Sequence, residues 1–189
     1  MARTEPIRDP EQVRALLNYY KGIGEYRNYV LITLGIYTAL RVSDILSIRC
    51  DDVYDFRNHR PWDTITVREM KTGKIRTIAL HSYVIKALEL YYGEARRGSP
   101  LIVNEKTGLP ISRIQAYRII DDAAKEVEIP QKVSCHSLRK TFGYHAWNSG
   151  ISPVLLMEIF NHTSYAVTKR YLGVTQDDQN TVYLNMRAF

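Results

Sequence analysis

Four polar groups stand beside apolar helical segments: Arg41 with Asp44, Lys71 in a turn, His136 with Arg139, and His162 with Tyr171 nine positions later. Arg41 closes the most apolar stretch of the chain. A guanidinium buried without a partner is costly, so Arg41 either pairs with Asp44 or opens onto a cleft. His136 and Arg139 lie three residues apart, which on a helix turns both to one face. An imidazole beside a guanidinium invites an anion; the plainer reading is a helix end whose histidine caps a backbone group. Lys71 at a hairpin tip is either a solvated edge or, with Lys74 and Arg76 beside it, a phosphate contact. His162 occupies a loop between two helices, satisfied in a polar turn or aimed into a site. Tyr171 is one of 14 tyrosines, so residue type says nothing about it, and taken alone it reads as a half-buried core residue.

Other chemistries fit poorly. Cys135, His136 and His162 lack regular ligand spacing and no carboxylates gather with them, so neither a metal nor another cofactor is expected. No glycine-rich phosphate loop is present. The net charge of +6 over 189 residues suits a polyanionic partner, although charge alone is a weak sign. Tyr29 to Leu40 is too short to span a bilayer, and the first residues hold no apolar signal. Two distant cysteines, Cys50 and Cys135, suit a reducing compartment. The expected location is therefore the cytoplasm, at the nucleoid if the partner is DNA.

The elements that must position these residues are mostly helical. Asp9-Pro10-Glu11 is a helix start, with an Asp cap and Pro at the first helical position, and Gly22 stops that helix. Glu25 to Ala39 reads as a central helix and Val42 to Ile48 as a short one. The period then changes to two at Thr64–Arg68 and Arg76–Leu80, with Lys71-Thr72-Gly73-Lys74 between, which predicts a hairpin. Asp52 to Arg60 is a candidate third strand. Helices follow over Ser82 to Arg96, from a Ser112 cap to Val127, over Ser137 to Asn148, from Ser152-Pro153, and from Thr163 or Ser164 through Tyr171 to Gly173. Asp177 to Ala188 is a candidate last, amphipathic helix. The fold class is thus mainly α (α+β), one helical domain over residues 1–189 with a small antiparallel sheet.

In order along the chain, these segments resemble the tyrosine recombinase, or phage integrase, family. Its pattern is an arginine, a hairpin lysine, His-x-x-Arg, His or Trp, then tyrosine. The matching stretches are Thr38-Ala39-Leu40-Arg41-Val42-Ser43-Asp44, Lys71-Thr72-Gly73-Lys74-Ile75-Arg76, His136-Ser137-Leu138-Arg139-Lys140-Thr141, and His162 with Tyr171. Any one is weak; together they are specific. Three positions depart from the pattern: Leu40 replaces a common Gly or Met, Asn161 stands where Gly often precedes the histidine, and Asp44 is a shorter form of a frequent Glu.

The resemblance implies a catalytic domain that cuts and rejoins double-stranded DNA through a 3′-phosphotyrosine at Tyr171. Arg41, Arg139 and His162 would hold the phosphate, His136 would accept the phenol proton, and Lys71 would protonate the leaving 5′-oxygen. Asp44 would orient Arg41, while Lys74, Arg76 and Lys140 are candidates for further phosphate contacts. Family members work as tetramers on DNA; the segment after Tyr171 would dock on a neighbour, with Tyr183, Leu184 and Met186 as anchors. The N-terminal DNA-clamping domain usual in the family is not expected in this chain. Rival readings are a catalytically silent DNA-binding module of the same fold, a relaxing enzyme of the type IB topoisomerase kind, and a basic helical interaction protein.

Overall fold

The computed structural model describes residues 4–186. Helix α1 (Pro10–Gly22) begins where the Asp9 carboxylate accepts from the Glu11 N–H at 2.8 Å, and it buries Val13, Leu16, Leu17 and Tyr20. Helix α2 (Tyr26–Tyr37) is buried without a break from Asn28 to Ile36. It packs on α1, on α5 (Ser82–Tyr91) and on α7 (Cys135–Asn148). The crossing with α7 is close: a side chain at Gly35 would come within 2.6 Å of Leu138. Helix α2 is therefore the axis of the main core, and its C-terminal end delivers Arg41 to the helix that carries His136 and Arg139.

Beyond α3 (Val42–Ile45) and α4 (Cys50–Val53) lie two separate two-stranded sheets. Strands β1 (Tyr54–Asp55) and β2 (Arg60–Pro61) pair only with each other. The expected third strand over Asp52 to Arg60 is thus corrected to a helical turn followed by a miniature hairpin. The cause is local: the Asp55 carboxylate accepts from Arg57 N, Asn58 N and the Asn58 amide, which turns the chain back on itself. The predicted hairpin is present as β3 (Thr64–Arg68) and β4 (Ile75–Ala79), antiparallel with Thr64 opposite Ala79 and Arg68 opposite Ile75. Ile65 and Val67 face inward while Thr64, Thr66 and Arg68 face out. The alternation continues past the strand, so the next inward side chain is Glu69, buried to 1%.

Helix α3 is shorter than expected, although Ile45, Leu46 and Ile48 are all buried. Helix α6 (Arg113–Glu126) has the expected Ser112 cap, reciprocated by Gln115. Helices α8 (Pro153–Phe160) and α9 (Tyr165–Leu172) enclose a second, smaller core of Ala39, Leu156, Phe160 and Leu172 against α7. Gly143 of α7 admits this pair, since a Cβ there would lie 2.7 Å from Phe160 and 2.8 Å from Leu172. The segment before α1 crosses the same region: Ile7 is buried, its N–H reaches Thr141 Oγ1 at 2.9 Å, and Arg8 donates to the Gly173 carbonyl at 2.5 Å. Helix α10 covers Gln176–Leu184. Of the residues expected to extend it, Asn185 and Met186 lie outside the helix, and 187–188 fall outside the described residues. No helix is long and apolar enough to cross a membrane among the described residues.

Candidate active site

Helix α2 ends at Thr38, whose hydroxyl bonds back to the Leu34 carbonyl at 2.7 Å. Ala39 then takes a left-handed conformation, φ 55°, which non-glycine residues adopt rarely. That turn aims the Ala39 carbonyl at α7 and starts the extended backbone on which Arg41 sits. The Arg41 side chain is one-fifth exposed. Its Nη1 donates to Glu69 Oε2 at 3.1 Å and stands 4.0 Å from Asp44 Oδ2. Asp44 is fully buried, and its Oδ1 accepts from the Met70 N–H at 2.9 Å. The tighter partner of Arg41 is therefore Glu69, which the sequence reading passed over, and Asp44 chiefly secures the base of the hairpin.

Helix α7 opens at Ser134 and puts His136 in its first turn, exposed, with Arg139 one turn on. Arg139 is 3% exposed. It donates to the Ala39 carbonyl and, at 3.0 Å, to the Phe160 carbonyl, and its guanidinium lies 5.0 Å over the Phe160 ring. Among the described residues no carboxylate forms an ion pair with it. A buried guanidinium held by neutral carbonyls keeps much of its charge uncompensated, and this favours an anion in contact with it. The remaining N–H groups of the fork are the ones such an anion would meet.

His162 follows Asn161, which caps α8 in the left-handed conformation, φ 52°. Asparagine is, after glycine, the residue that best tolerates that conformation, which accounts for Asn161 where the family often has Gly. His162 Nδ1 lies 3.0 Å from the hydroxyl of Thr168, a fully buried residue of α9. With that hydroxyl donating, the imidazole proton sits on Nε2. Helix α9 starts at the Ser164 cap, ends at Gly173, φ 70°, and carries Tyr171 in its last turn. The Tyr171 ring is 5.0 Å from the rings of both His162 and Phe160. The Arg139 guanidinium acts electrostatically on the Tyr171 phenol.

The electrostatics are those of a cationic cleft. Loss of water, then Arg139, Lys140 and Arg41, push the His136 pKa below its usual 6.5. Loss of water, then Arg139 and Arg41, do the same to His162. Both rings are thus neutral near pH 7, able to accept or donate a proton. Burial raises the Tyr171 phenol above its usual 10.0, and the pull of Arg139 and Arg41 only partly offsets this. The phenol is therefore protonated in the free protein and would need a base in order to act as a nucleophile.

The hairpin completes the arrangement. Lys71 is exposed in the β3–β4 turn. Lys74 Nζ reaches across to Asn161 Oδ1 at 2.7 Å. Two of the three candidate phosphate contacts are engaged inside the protein instead. Arg76 Nη1 donates to Glu69 Oε1 at 3.0 Å and to the Ile159 carbonyl at 2.8 Å. Lys140 is 8% exposed, donates to the Thr4 carbonyl at 2.6 Å and lies 5.5 Å over the Tyr171 ring. The hairpin register and the packing of α7 turn both of these candidate phosphate contacts toward partners within the protein. Arg41, Arg139, His162 and Tyr171 are thus brought together with His136 at their edge, and Lys71 sits on the adjoining hairpin. No group of three or more metal-ligating side chains occurs among the described residues. A hollow of about 870 Å³, lined by Tyr37, Tyr83 and later turns of α7, contains none of the six.

A helical fold of this kind, with two arginines, two histidines and a tyrosine converging beside a lysine hairpin, defines a class of DNA strand-transfer proteins. The phage integrase family model matches residues 8–177. Over 179 residues the chain is 35% identical to the probable integrase/recombinase YoeC of Bacillus subtilis (strain 168), covering 95% of this chain and 94% of YoeC. The chain belongs to the phage integrase family, the tyrosine recombinases. It spans about half the length of the XerC and XerD recombinases it also matches. Its fold is that of the XerA recombinase crystal structure, with a TM-score of 0.79 at 22% identity, covering 99% of this chain and 67% of that one. The Tn1549 transposon integrase, solved with circular intermediate DNA, gives a TM-score of 0.69 at 21% identity over 97% of this chain and 66% of that one.

Proposed function

We propose that the chain acts as the catalytic domain of a site-specific recombinase on double-stranded DNA at the nucleoid, with Tyr171 as nucleophile. The observation that carries this reading is the buried Arg139, which forms no ion pair with a carboxylate among the described residues and lies over the Phe160 ring that packs on Tyr171. A phosphodiester seated there would meet Arg139, Arg41 and the Nε2–H of His162 at its non-bridging oxygens, where charge builds up in the transition state. The Tyr171 oxygen bonds to phosphorus while the neutral His136 takes the phenol proton. The bond to the 5′-oxygen breaks, and Lys71 supplies the proton that makes the 5′-hydroxyl. The 3′-phosphotyrosine keeps the energy of the broken bond, so a 5′-hydroxyl from a partner strand reverses the step without a nucleotide triphosphate. The Tn1549 integrase and its circular-intermediate DNA support the choice of duplex DNA as partner. Tyr183, Leu184 and Met186 are all strongly exposed, which suits a tail that docks on a neighbouring protomer in a tetramer.

The test is suicide trapping. A duplex selected by the protein from a random-sequence pool, nicked so that the short 5′-hydroxyl strand diffuses away, should accumulate a covalent protein–DNA complex. Tyr171→Phe should bind the duplex and form no such complex. Binding without any adduct would favour the silent module. Efficient relaxation of a supercoiled plasmid lacking the selected site would favour a topoisomerase.

A further inference from the structure

Glu69 has a fully buried side chain where three parts of the site meet. Its Oε2 accepts from Arg41 at 3.1 Å and from the Thr72 hydroxyl at 2.8 Å, and its Oε1 accepts from Arg76 at 3.0 Å. The same Arg76 nitrogen donates to the Ile159 carbonyl at 2.8 Å, three residues before His162. Thr72 follows Lys71 directly. We propose that Glu69 is a positioning residue for strand transfer: it sets the Arg41 guanidinium and ties the Lys71 turn and the His162 loop to it. This rests on the recombinase reading given above.

The burial pattern says how Glu69 acts. Arg41 keeps one-fifth of its side chain exposed, whereas Glu69 keeps none. The carboxylate therefore stands behind Arg41, takes one edge of its fork and cannot touch a substrate itself. The free edge is left for the phosphate. The charge serves the same end, because Arg41 and Arg76 would otherwise repel each other around a shared point. Burial alone would raise the Glu69 pKa, but hydrogen bonds from Arg76, Thr72 and Arg41 outweigh it and hold the carboxyl below its usual range. It is ionised at neutral pH and available to both arginines. Asp44, at 4.0 Å from Arg41, does not span the two guanidiniums.

Glu69→Gln keeps the shape but can accept from only one arginine and turns an NH2 toward the other. Glu69→Asp keeps the charge and loses the reach. Three readouts on the full chain test the idea: single-turnover cleavage of the selected nicked duplex, cleavage of the same duplex with a neutral methylphosphonate at the cut position, and the Arg41 side-chain N–H signal in 15N NMR. For Glu69→Gln, cleavage should fall between about tenfold and a hundredfold with duplex affinity unchanged, as for a misplaced catalytic group. The gap should narrow on the methylphosphonate, whose missing negative charge lessens the need for Arg41, and the Arg41 signal should lose its ordered, exchange-protected character. Glu69→Asp should show the same pattern more weakly. Wild-type cleavage, an equal defect on both substrates, or an unchanged Arg41 signal overturns the proposal. A wild-type protein that forms no Tyr171-dependent adduct sinks the recombinase reading instead, and the Arg41 signal then decides the positioning role by itself.

Discussion

Thr168 and His162 are joined across the α8–α9 turn, hydroxyl to Nδ1 at 3.0 Å, so the helix that carries Tyr171 orients the histidine that faces it. Thr168→Val preserves the buried shape and removes the bond. One hydrogen bond contributes about 0.5–1.5 kcal/mol, so a loss of up to about tenfold in single-turnover cleavage is expected if it is needed to reach the transition state. Affinity for the selected duplex should not change. A Thr168→Val protein that cleaves at the wild-type rate would show that the His162 ring is held by packing alone.

Gly143 lets α8 and α9 approach α7. In Gly143→Ala the added methyl would meet Phe160 and Leu172 at under 3 Å. Overpacking of this kind costs about 1–3 kcal/mol. Thermal unfolding should shift downward accordingly, and adduct formation should fall further than stability, because Leu172 is the neighbour of Tyr171. Unchanged melting with unchanged adduct yield would mean the two helices shift without consequence.

Lys71 is exposed and Lys71→Ala should leave the melting temperature unchanged. Loss of a general acid lowers rate by roughly 10²–10⁴-fold. A duplex with sulfur in place of the 5′-bridging oxygen has a leaving group that needs no proton, so it should restore most of the lost cleavage. Failure of sulfur to rescue the variant would move the acid role away from Lys71.

His136 and His162 both titrate below the usual 6.5, through loss of water and neighbouring cations. The unfolded chain therefore binds more protons than the folded one once pH drops below about 6.5. Stability contributed by the neutral rings is present above that value and declines as pH falls toward the folded pKa. Cleavage should hold from pH 7 to the usual histidine range and lose activity only below it, with both unfolding free energy and rate falling on the acid side. An acid limb centred above 6.5 would contradict the lowered pKa values.

Much of this site was legible because its signals are local. Asp9, Ser112 and Ser152 each cap the helix expected to start there, and of the two candidates Thr163 and Ser164 it is Ser164 that caps α9. The hairpin followed from alternation, and the five-part motif marked residues that the fold brings near one another. What escaped depends on register and long-range packing. Glu69 lies two residues beyond Val67, at the position where the period-two pattern turns inward, so a carboxylate in that register was itself the sign of a buried ion partner. Arg76 and Lys140 carry no comparable local mark. The first is turned in by the Ile159 carbonyl of α8, 83 positions away, and the second by Thr4, 136 positions away. The segment from Asp52 to Arg60 failed for a different reason, since the Asp55 turn competes with extension only once its side chain is placed.

The most direct measurement is the chemical identity of the covalent product. After trapping on the selected nicked duplex, nuclease and protease digestion should yield a peptide containing Tyr171 linked through its phenolic oxygen to the 3′-phosphate of the cleaved strand. The displaced fragment should carry a 5′-hydroxyl. Nucleotide attached to any other residue, a 5′-phosphate linkage, or cleavage with no covalent product would contradict the account.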